Sequence, residues 1–490
     1  MHQPITLPRS FPLSDDESTL FQLLKDVTRH FRLPTVVRVA GGWVRDKLLH
    51  IPAKFDVDVT LSDMTGTSFA QKVNEFLIIH GESPHKIAVI ESNPEKSKHL
   101  ETARTRLYGF EVDFCNLRSE TYSEHSRIPI VEFGSAEQDA LRRDFTVNSM
   151  FYNLLTDSVE DFSGHGFTDL ANKMIATPLD PLITFKDDPL RVLRALRFAS
   201  RLDFTIQDAG IQQALQTIVS RERVGEELSQ MFESTRVFSS IRHLVELRLL
   251  DVVFAHDLVP FRGDYNMQIS ILTRCYLCTQ ALKQLNISPT PLLNKILFVS
   301  AMLLECSFPT IKIKSKEVPL TTWLGLNSVK WPRSVAEAIT TVCHSSRELQ
   351  ELAKSSEVPS RLELARVLRN AREYWPLALV LACSSTCCMI DVLPMNCYDL
   401  SNSDVSLDLP QSVLQCFLTF SGFKQLVSKY SLDNIWQLKP ILTGIEVADL
   451  LGLKPGPDIR NALERCLELQ FQFPDHDRDA IIEKLTVNVK

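Results

Sequence analysis

The sequence predicts an α+β chain: a small mixed α/β domain in the first third, followed by a mostly helical remainder. Two observations predict it. Period-two, β-branched runs crowd the N-terminal third: "TVVRVA", "FDVDVTL", "KIAVIE" and "GFEVDFCNL" read as strands, with "STLFQLLKDVTRHF" and "TSFAQKVNEFLIIHG" as intervening helices. From about Asp187 the apolar spacing turns helical, in "DPLRVLRALRFASRL", "IRHLVELRLLDVVF" and "SRLELARVLRNAREYW", punctuated by Pro and Ser. No fixed-period repeat or low-complexity linker separates these parts, so domains packed in series are expected.

Composition bounds the reading. At 490 residues, 44% hydrophobic and 23% charged, the chain can bury roughly three or four core-bearing units. A formal charge of −7 means that a polyanionic partner must meet basic residues gathered on one surface, since the average field repels it. The eleven cysteines follow no regular frame. The closest sets, Cys275 with Cys278 and the run Cys383, Cys387, Cys388, lie in apolar helical segments and read as reduced core residues rather than zinc ligands. No stretch reaches ~18 uncharged apolar residues, so no membrane span is expected. The first nineteen residues lack a secretory apolar core and carry acids that a mitochondrial presequence avoids. An intracellular protein is expected, cytoplasmic first, with nucleus and mitochondrion as alternatives.

The stretch "VVRVAGGWVRDKLLHIPAKFDVDV" carries the chemistry. Residues two apart on a strand share a face, so Asp56 and Asp58 present both carboxylates together while Phe55, Val57 and Val59 are expected to enter the core. Two like charges this close repel unless a hard divalent cation, Mg²⁺ or else Mn²⁺, sits between them. Gly41 and Gly42 mark a strand-to-helix turn whose backbone N–H groups can approach phosphate, with Arg45 just behind. Two-metal phosphoryl transfer needs both parts. Further on, "DALRRDFTVN" sets Arg142, Arg143 and Asp144 together. In "TFKDDPLRVLRALRFASRL", Pro189 suits a first helical turn, and Asp187 is expected to cap it, leaving Asp188 available. Arg191, Arg194 and Arg197 follow at three-residue steps beside a buried stripe of Leu190, Leu193 and Leu196.

Together, "AGGWVRD", "FDVDV", "RRDFTVN", "DDPLRVLRALRF" and "RERVGEEL" resemble the ordered motifs of class II tRNA nucleotidyltransferases, the CCA-adding enzymes, in their eukaryotic branch. The resemblance spans roughly Val36 to Met231 and returns faintly at "LKPILTGIEVADLLGLKPGP". It implies a polymerase-β-like nucleotidyltransferase head followed by all-α neck, body and tail. The expected divisions are an N-terminal extension at 1–30, head at 31–165, neck at 166–235, and body and tail at 236–490. It implies Asp56 and Asp58 as metal ligands, with Gly41, Gly42, Arg45 and Arg143 on the incoming nucleotide. Asp188 and Arg191 would act as an amino-acid template that reads the base, supported by Arg194 and Arg197. A carboxylate accepts from the exocyclic amine of cytosine or adenine, and a guanidinium donates to the ring acceptor beside it. Guanine and uracil present the opposite pattern, at roughly 1–3 kcal/mol per mismatched contact. This chain carries Asp187 where the family often has Glu.

For a third catalytic carboxylate the resemblance favours Glu101 in "LETARTR", whereas strand reasoning favours Asp113 in "EVDF". The Pro-, Ser- and Lys-rich segment from Pro84 to Leu100 resembles the family's flexible loop for switching from CTP to ATP. "RERVGEELSQMF" is expected to brace the neck, with Glu222, Arg223 and Glu226 pairing along the helix. The implied partners are tRNA, CTP and ATP, without a membrane, and the chain is expected to be a monomer. "TIKIKSK" in the helical part is a candidate phosphate-tracking cluster. The alternatives are a partial enzyme adding only CC or only A, a poly(A) polymerase, whose G-R-R-F or G-R-K-F run is absent, and a non-catalytic tRNA-binding protein.

Overall fold

The computed structural model describes residues 7–52, 55–90, 101–123, 126–207, 220–254, 265–355, 357–388 and 409–487. The chain forms two compact units, Met1–Val219 and Ser220–Lys490, a division that falls inside the 166–235 segment.

The first unit opens with helix α1 (Asp15–His30), started by a reciprocal cap. The Ser14 hydroxyl accepts the Glu17 N–H at 3.2 Å, and the Glu17 carboxylate accepts the Ser14 N–H at 2.8 Å. Its stripe of Leu20, Phe21, Leu24 and Val27 is buried. Strand β1 (Val37–Ala40) runs into α2 (Gly42–Leu48), then β2 (Asp56–Leu61) and α3 (Gly66–Ile79). There follow β3 (Ala88–Ile90), β4 (Thr102–Leu107), β5 (Phe110–Asn116), the hairpin β6 (Arg118–Ser123) and β7 (Ser126–Phe133), α4 (Ala136–Leu141), β8 (Phe151–Asn153) and β9 (Ser158–Glu160). Helices α5 (Gly166–Ala171), α6 (Pro181–Asp187) and α7 (Leu190–Leu202) complete the unit.

Seven strands form one mixed sheet in the order β3-β4-β5-β2-β1-β8-β9. The β2–β5 pair is parallel, and the pairs β1–β2, β1–β8, β3–β4, β4–β5 and β8–β9 are antiparallel. Strand β2 is central because its inward residues, Val57, Val59 and Leu61, are fully buried. Each such side chain stabilises the fold by about 1.5–3 kcal/mol. Helix α3 covers this face, with Phe69 and Phe114 rings 5.3 Å apart. It begins so close to β5 that a β-carbon at Gly66 would lie 1.9 Å from the Phe114 carbonyl oxygen.

The second unit is mostly helical around Trp375–Cys388, which is buried on nearly every side. A helix that apolar all round has to be a core helix, and Tyr265–Gln284, Arg333–Lys354 and Gln411–Lys429 pack on it. Leu442, Val447, Cys466, Ile481 and Leu485 form a separate small core near the C-terminus.

The expectation of purely helical structure past the head needs two corrections. Met174–Ile175 pairs with Thr205–Ile206, and Thr310–Ile313 pairs with Lys316–Pro319. The "TIKIKSK" run is therefore a β-hairpin, which its alternating isoleucines and lysines favour, turned at Lys314 with φ 55°. Arg221–Phe232 is braced by long-range contacts as well. Lys295 bonds Ser229 and Glu233 at 2.8 and 3.1 Å, and the Trp331 indole donates to the Gly225 carbonyl at 2.9 Å.

Candidate active site

On β2, Asp56 and Asp58 are exposed and Val57 and Val59 are fully buried, whereas Phe55, expected in the core, precedes the strand and is 68% exposed. Parallel pairing sets Asp58 in register with Asp113 of β5. Arg104 of β4 holds Asp113 by two hydrogen bonds of 2.7 and 2.6 Å. Burial, opposed by Arg143 and reinforced by Asp56 and Asp113, pushes the Asp58 carboxyl up to about 6. Its surface is reachable by water, yet the groups crowding it withdraw it from bulk solvent. Three neighbouring carboxylates are a donor set that suits hard divalent cations.

Glu101 is not in this group. It directly precedes β4, whose first rung with β5 is Ala103 opposite Phe114, so the register brings Asp113 rather than Glu101 to Asp58. The register thus favours Asp113, the choice of strand reasoning, over Glu101.

The cleft beside these acids has a volume of about 260 Å³. Gly41, Gly42, Arg45, Asp56, Asp58, Arg143, Arg194 and Arg197 all line it, together with Asp46, Asp144, Asn148 and Arg201. Gly41 takes φ 73°, a left-handed conformation that costs other residues roughly 1–2 kcal/mol. A β-carbon there would also lie 3.1 Å from an Arg143 nitrogen. The turn is less bare than expected, because the Gly41 N–H already donates to the Met150 carbonyl at 3.1 Å. Gly42 opens α2.

Arg45 lines the cleft with its donors already engaged by the protein. Only 2% exposed, it donates through Nε and a terminal nitrogen to Asp46 at 2.8 and 2.6 Å and through the other to Asn148. Burial holds its pKa below the usual arginine value despite Asp46. It is a wall residue that fixes the turn. Arg201 reaches the other Asp46 oxygen at 3.1 Å, tying α7 to α2.

Arg142 and Arg143 converge on Asp139, three and four residues earlier on α4. Burial would raise the Asp139 carboxyl, but the two guanidiniums outweigh it and hold it below the usual range. Arg143 thereby stands over the Phe151 ring and faces the cleft. Asp144 behaves alike: burial opposes its charge, and Arg194, bonded at 2.9 and 2.6 Å, together with Asn148 restores it.

Helix α7 buries Leu190, Leu193 and Leu196. Its arginines split between two places. Steps of three residues fall back about 60° each on a 3.6-residue helix, so Arg194 and Arg197 line the cleft while Arg191 does not. Arg191 instead donates to the Arg142 carbonyl at 2.7 Å and the Thr184 carbonyl at 3.3 Å. Asp187 ends α6, and Asp188, not Asp187, accepts the Leu190 N–H at 3.2 Å at the start of α7. Asp188 and Arg191 thus lie at the α6–α7 junction, outside the residues that line the cleft. Of the segment Pro84–Leu100, residues 91–100 lie outside the described residues.

Sequence reasoning missed Asp46, Asp139, Asn148 and Arg201. A local signal existed for Asp139, at helical spacing from the Arg142–Arg143 pair; Asn148 reaches Arg45 across 103 positions.

An acidic pair on a central strand, beside a glycine turn and under a ring of guanidiniums, defines a nucleotidyltransferase site. Residues 37–176 match the model of the poly A polymerase head domain, and 212–258 match that of the probable RNA and SrmB-binding site of polymerase A. The chain is 33% identical to the mitochondrial CCA tRNA nucleotidyltransferase of Saccharomyces cerevisiae, covering 96% of this chain and 93% of that one. It is 30% identical to the tRNA nucleotidyltransferase cca2 of Schizosaccharomyces pombe, covering 90% of each. Among solved structures, a CCA-adding enzyme in an apo form matches with a TM-score of 0.65 at 20% identity, over 97% of this chain and 96% of that one. The Thermotoga maritima CCA-adding enzyme complexed with tRNA matches with a TM-score of 0.60 at 19% identity, over 99% and 100%. The chain belongs to the CCA-adding tRNA nucleotidyltransferase family, whose chemistry is metal-dependent.

Proposed function

We propose that this protein adds C, C and A to tRNA 3′ ends from CTP and ATP, without a nucleic-acid template. The observation that carries this is the convergence on one cleft of the β2 carboxylates, the Gly41–Gly42 turn and the Arg143, Arg194 and Arg197 guanidiniums. The S. cerevisiae relative bears that activity in its name, and solved relatives carry ATP and CTP.

Asp56 and Asp58, joined by Asp113, are the residues to hold Mg²⁺, with Mn²⁺ as the alternative. When bound, such ions activate the attacking hydroxyl and neutralise charge on the triphosphate. The chain's own groups do the rest. The Gly42 end of α2 and Arg143 receive the phosphates, and Arg194 and Arg197 offset their charge. The tRNA 3′-oxygen bonds to the α-phosphorus, and pyrophosphate leaves.

Asp188 and Arg191 read the base edge as acceptor and donor. Arg191 is already aimed by its two carbonyl contacts, so little side-chain entropy remains to be lost on binding. Asp188 must share or release its Leu190 contact.

The neck spanning 166–235 and a body and tail from 236 are proposed to carry tRNA. Lys312, Lys314 and Lys316 on the exposed hairpin offer phosphate contacts. The monomer is retained as the expected state. No described helix is long and apolar enough to cross a membrane. Relatives named as mitochondrial support an intracellular compartment of that kind, alongside the cytoplasm. Incubating purified protein with tRNA transcripts ending in the discriminator base, C or CC, and with each labelled nucleotide separately, tests the proposal.

A further inference from the structure

In the second unit, far along the sequence from the cleft, three thiols meet. Cys383 and Cys387 lie one helical turn apart on Trp375–Cys388, so they share a face. Cys416 projects from Gln411–Lys429 to meet them. All three sulfurs lie within 4.8 Å of one another, and their residues are 0%, 1% and 8% exposed. Among the described residues no other three His, Cys, Asp or Glu side chains bring their ligand atoms this close together. The Cys416 thiol also points at the Cys383 carbonyl, at 3.7 Å.

We propose that Cys383, Cys387 and Cys416 form a structural site for a thiophilic divalent ion of the Zn²⁺ class. Ordinary core cysteines stand apart, as Cys466 does in its own small core. These converge, and their spacing is close to what an ion demands. With Zn–S bonds of ~2.3 Å, ligand sulfurs sit roughly 3.8–4.0 Å apart. The trio needs to close by less than about 1 Å. Binding releases the three S–H protons and leaves three M–S bonds with net charge −1. A monovalent ion such as Cu⁺ would leave −2 in the same apolar surroundings, which costs more. The ion would tie the helices Trp375–Cys388 and Gln411–Lys429 together, so binding adds to stability.

The test uses the full-length reduced protein, stripped of metal and titrated with Cd²⁺, whose thiolate complexes absorb in the near ultraviolet. The carboxylates of the cleft give no such band. The proposal expects a band that saturates at one equivalent, is lost on Zn²⁺ addition, and comes with a higher Tm. Cys416→Ser and Cys387→Ser should each weaken binding at least about 100-fold, a loss that even outer partners of a metal can cause. Cys306→Ser should leave it unchanged. If the serine variants fold poorly by circular dichroism, alkylation of the wild type decides: Zn²⁺ should protect these three cysteines and not Cys306. Absence of the band, its persistence in folded Cys416→Ser, or equal protection of all cysteines overturns the proposal. So does isolation of a Cys383–Cys416 or Cys387–Cys416 disulfide as the main form under rapid alkylation, which would make the trio a redox pair.

Discussion

Asp58 and Asp113 stand on the same rung of the parallel β2–β5 pair, and Arg104 grips Asp113 from the next strand. Asp113 is thus fixed beside the β2 acids before any ion arrives. Asp113→Asn should lower nucleotide incorporation by roughly 10²–10³-fold, the scale of one lost preorganised electrostatic group. Glu101→Gln should stay close to wild type. Steady-state incorporation of labelled CMP into tRNA compares them, and the reverse ranking would restore Glu101 as third carboxylate.

Asp58 predicts an apparent conflict between stability and activity. Its carboxyl is raised from 3.8 to about 6 in the folded chain, so folding favours the protonated form. That stabilisation is present at low pH and is lost as pH rises from near 4 through about 6. Above that window the ionised Asp58 carries its full penalty. Asp58→Asn should therefore melt higher than wild type at pH 7.5 without divalent ions, and its Tm should vary less between pH 4 and 6. Mg²⁺ should raise the wild-type Tm and not that of the variant, which should also be inactive. Thermal melts with and without Mg²⁺ read both effects. A variant that melts lower than wild type in metal-free buffer contradicts the assignment.

Selectivity should separate from catalysis at the α6–α7 junction. Asp188→Ala removes the acceptor for the exocyclic amine, and the preference for CTP over UTP should fall by roughly 5- to 150-fold, from 1–3 kcal/mol per contact. Asp187→Ala should change it little, because Asp187 ends α6 while Asp188 begins α7. Ratios of kcat/KM for the two nucleotides are the measurement, and equal effects from both variants would remove Asp188 from base reading.

The lysine hairpin predicts a salt effect. If Lys312, Lys314 and Lys316 each neutralise one phosphate, replacing all three with Ser should reduce the slope of log K against log salt by roughly 2–3. Binding isotherms for tRNA between ~50 and ~200 mM salt report it. An unchanged slope would place tRNA elsewhere on the protein.

Much of the site was legible because it rests on local pattern. Alternation along Asp56–Val59 gave the acidic face, and the glycine pair gave the turn. The leucine stripe gave α7. What could not be read depends on partners distant in sequence. Strands β8 and β9 are three residues each and exist through pairing with β1 and with each other. In β4, "TARTRL" shows too few apolar residues to stand out, since its outward positions hold Arg104 and Arg106. Arg45 reads as a phosphate ligand, and its bonds to Asp46 and Asn148 do not show in the sequence. Asp187 and Asp188 are indistinguishable as caps in sequence, and only the sharp break between α6 and α7 decides for Asp188.

The most direct measurement is sequencing of the 3′ ends formed on a tRNA transcript that stops at the discriminator base, given CTP and ATP with Mg²⁺. The account predicts that one protein yields ends completed with C, C and A in that order, that withholding ATP stops the product at CC, and that Asp56→Ala or Asp58→Ala yields none. If the protein leaves this transcript untouched yet adds A to one ending in CC, or stops at CC with ATP present, the complete-enzyme reading is contradicted.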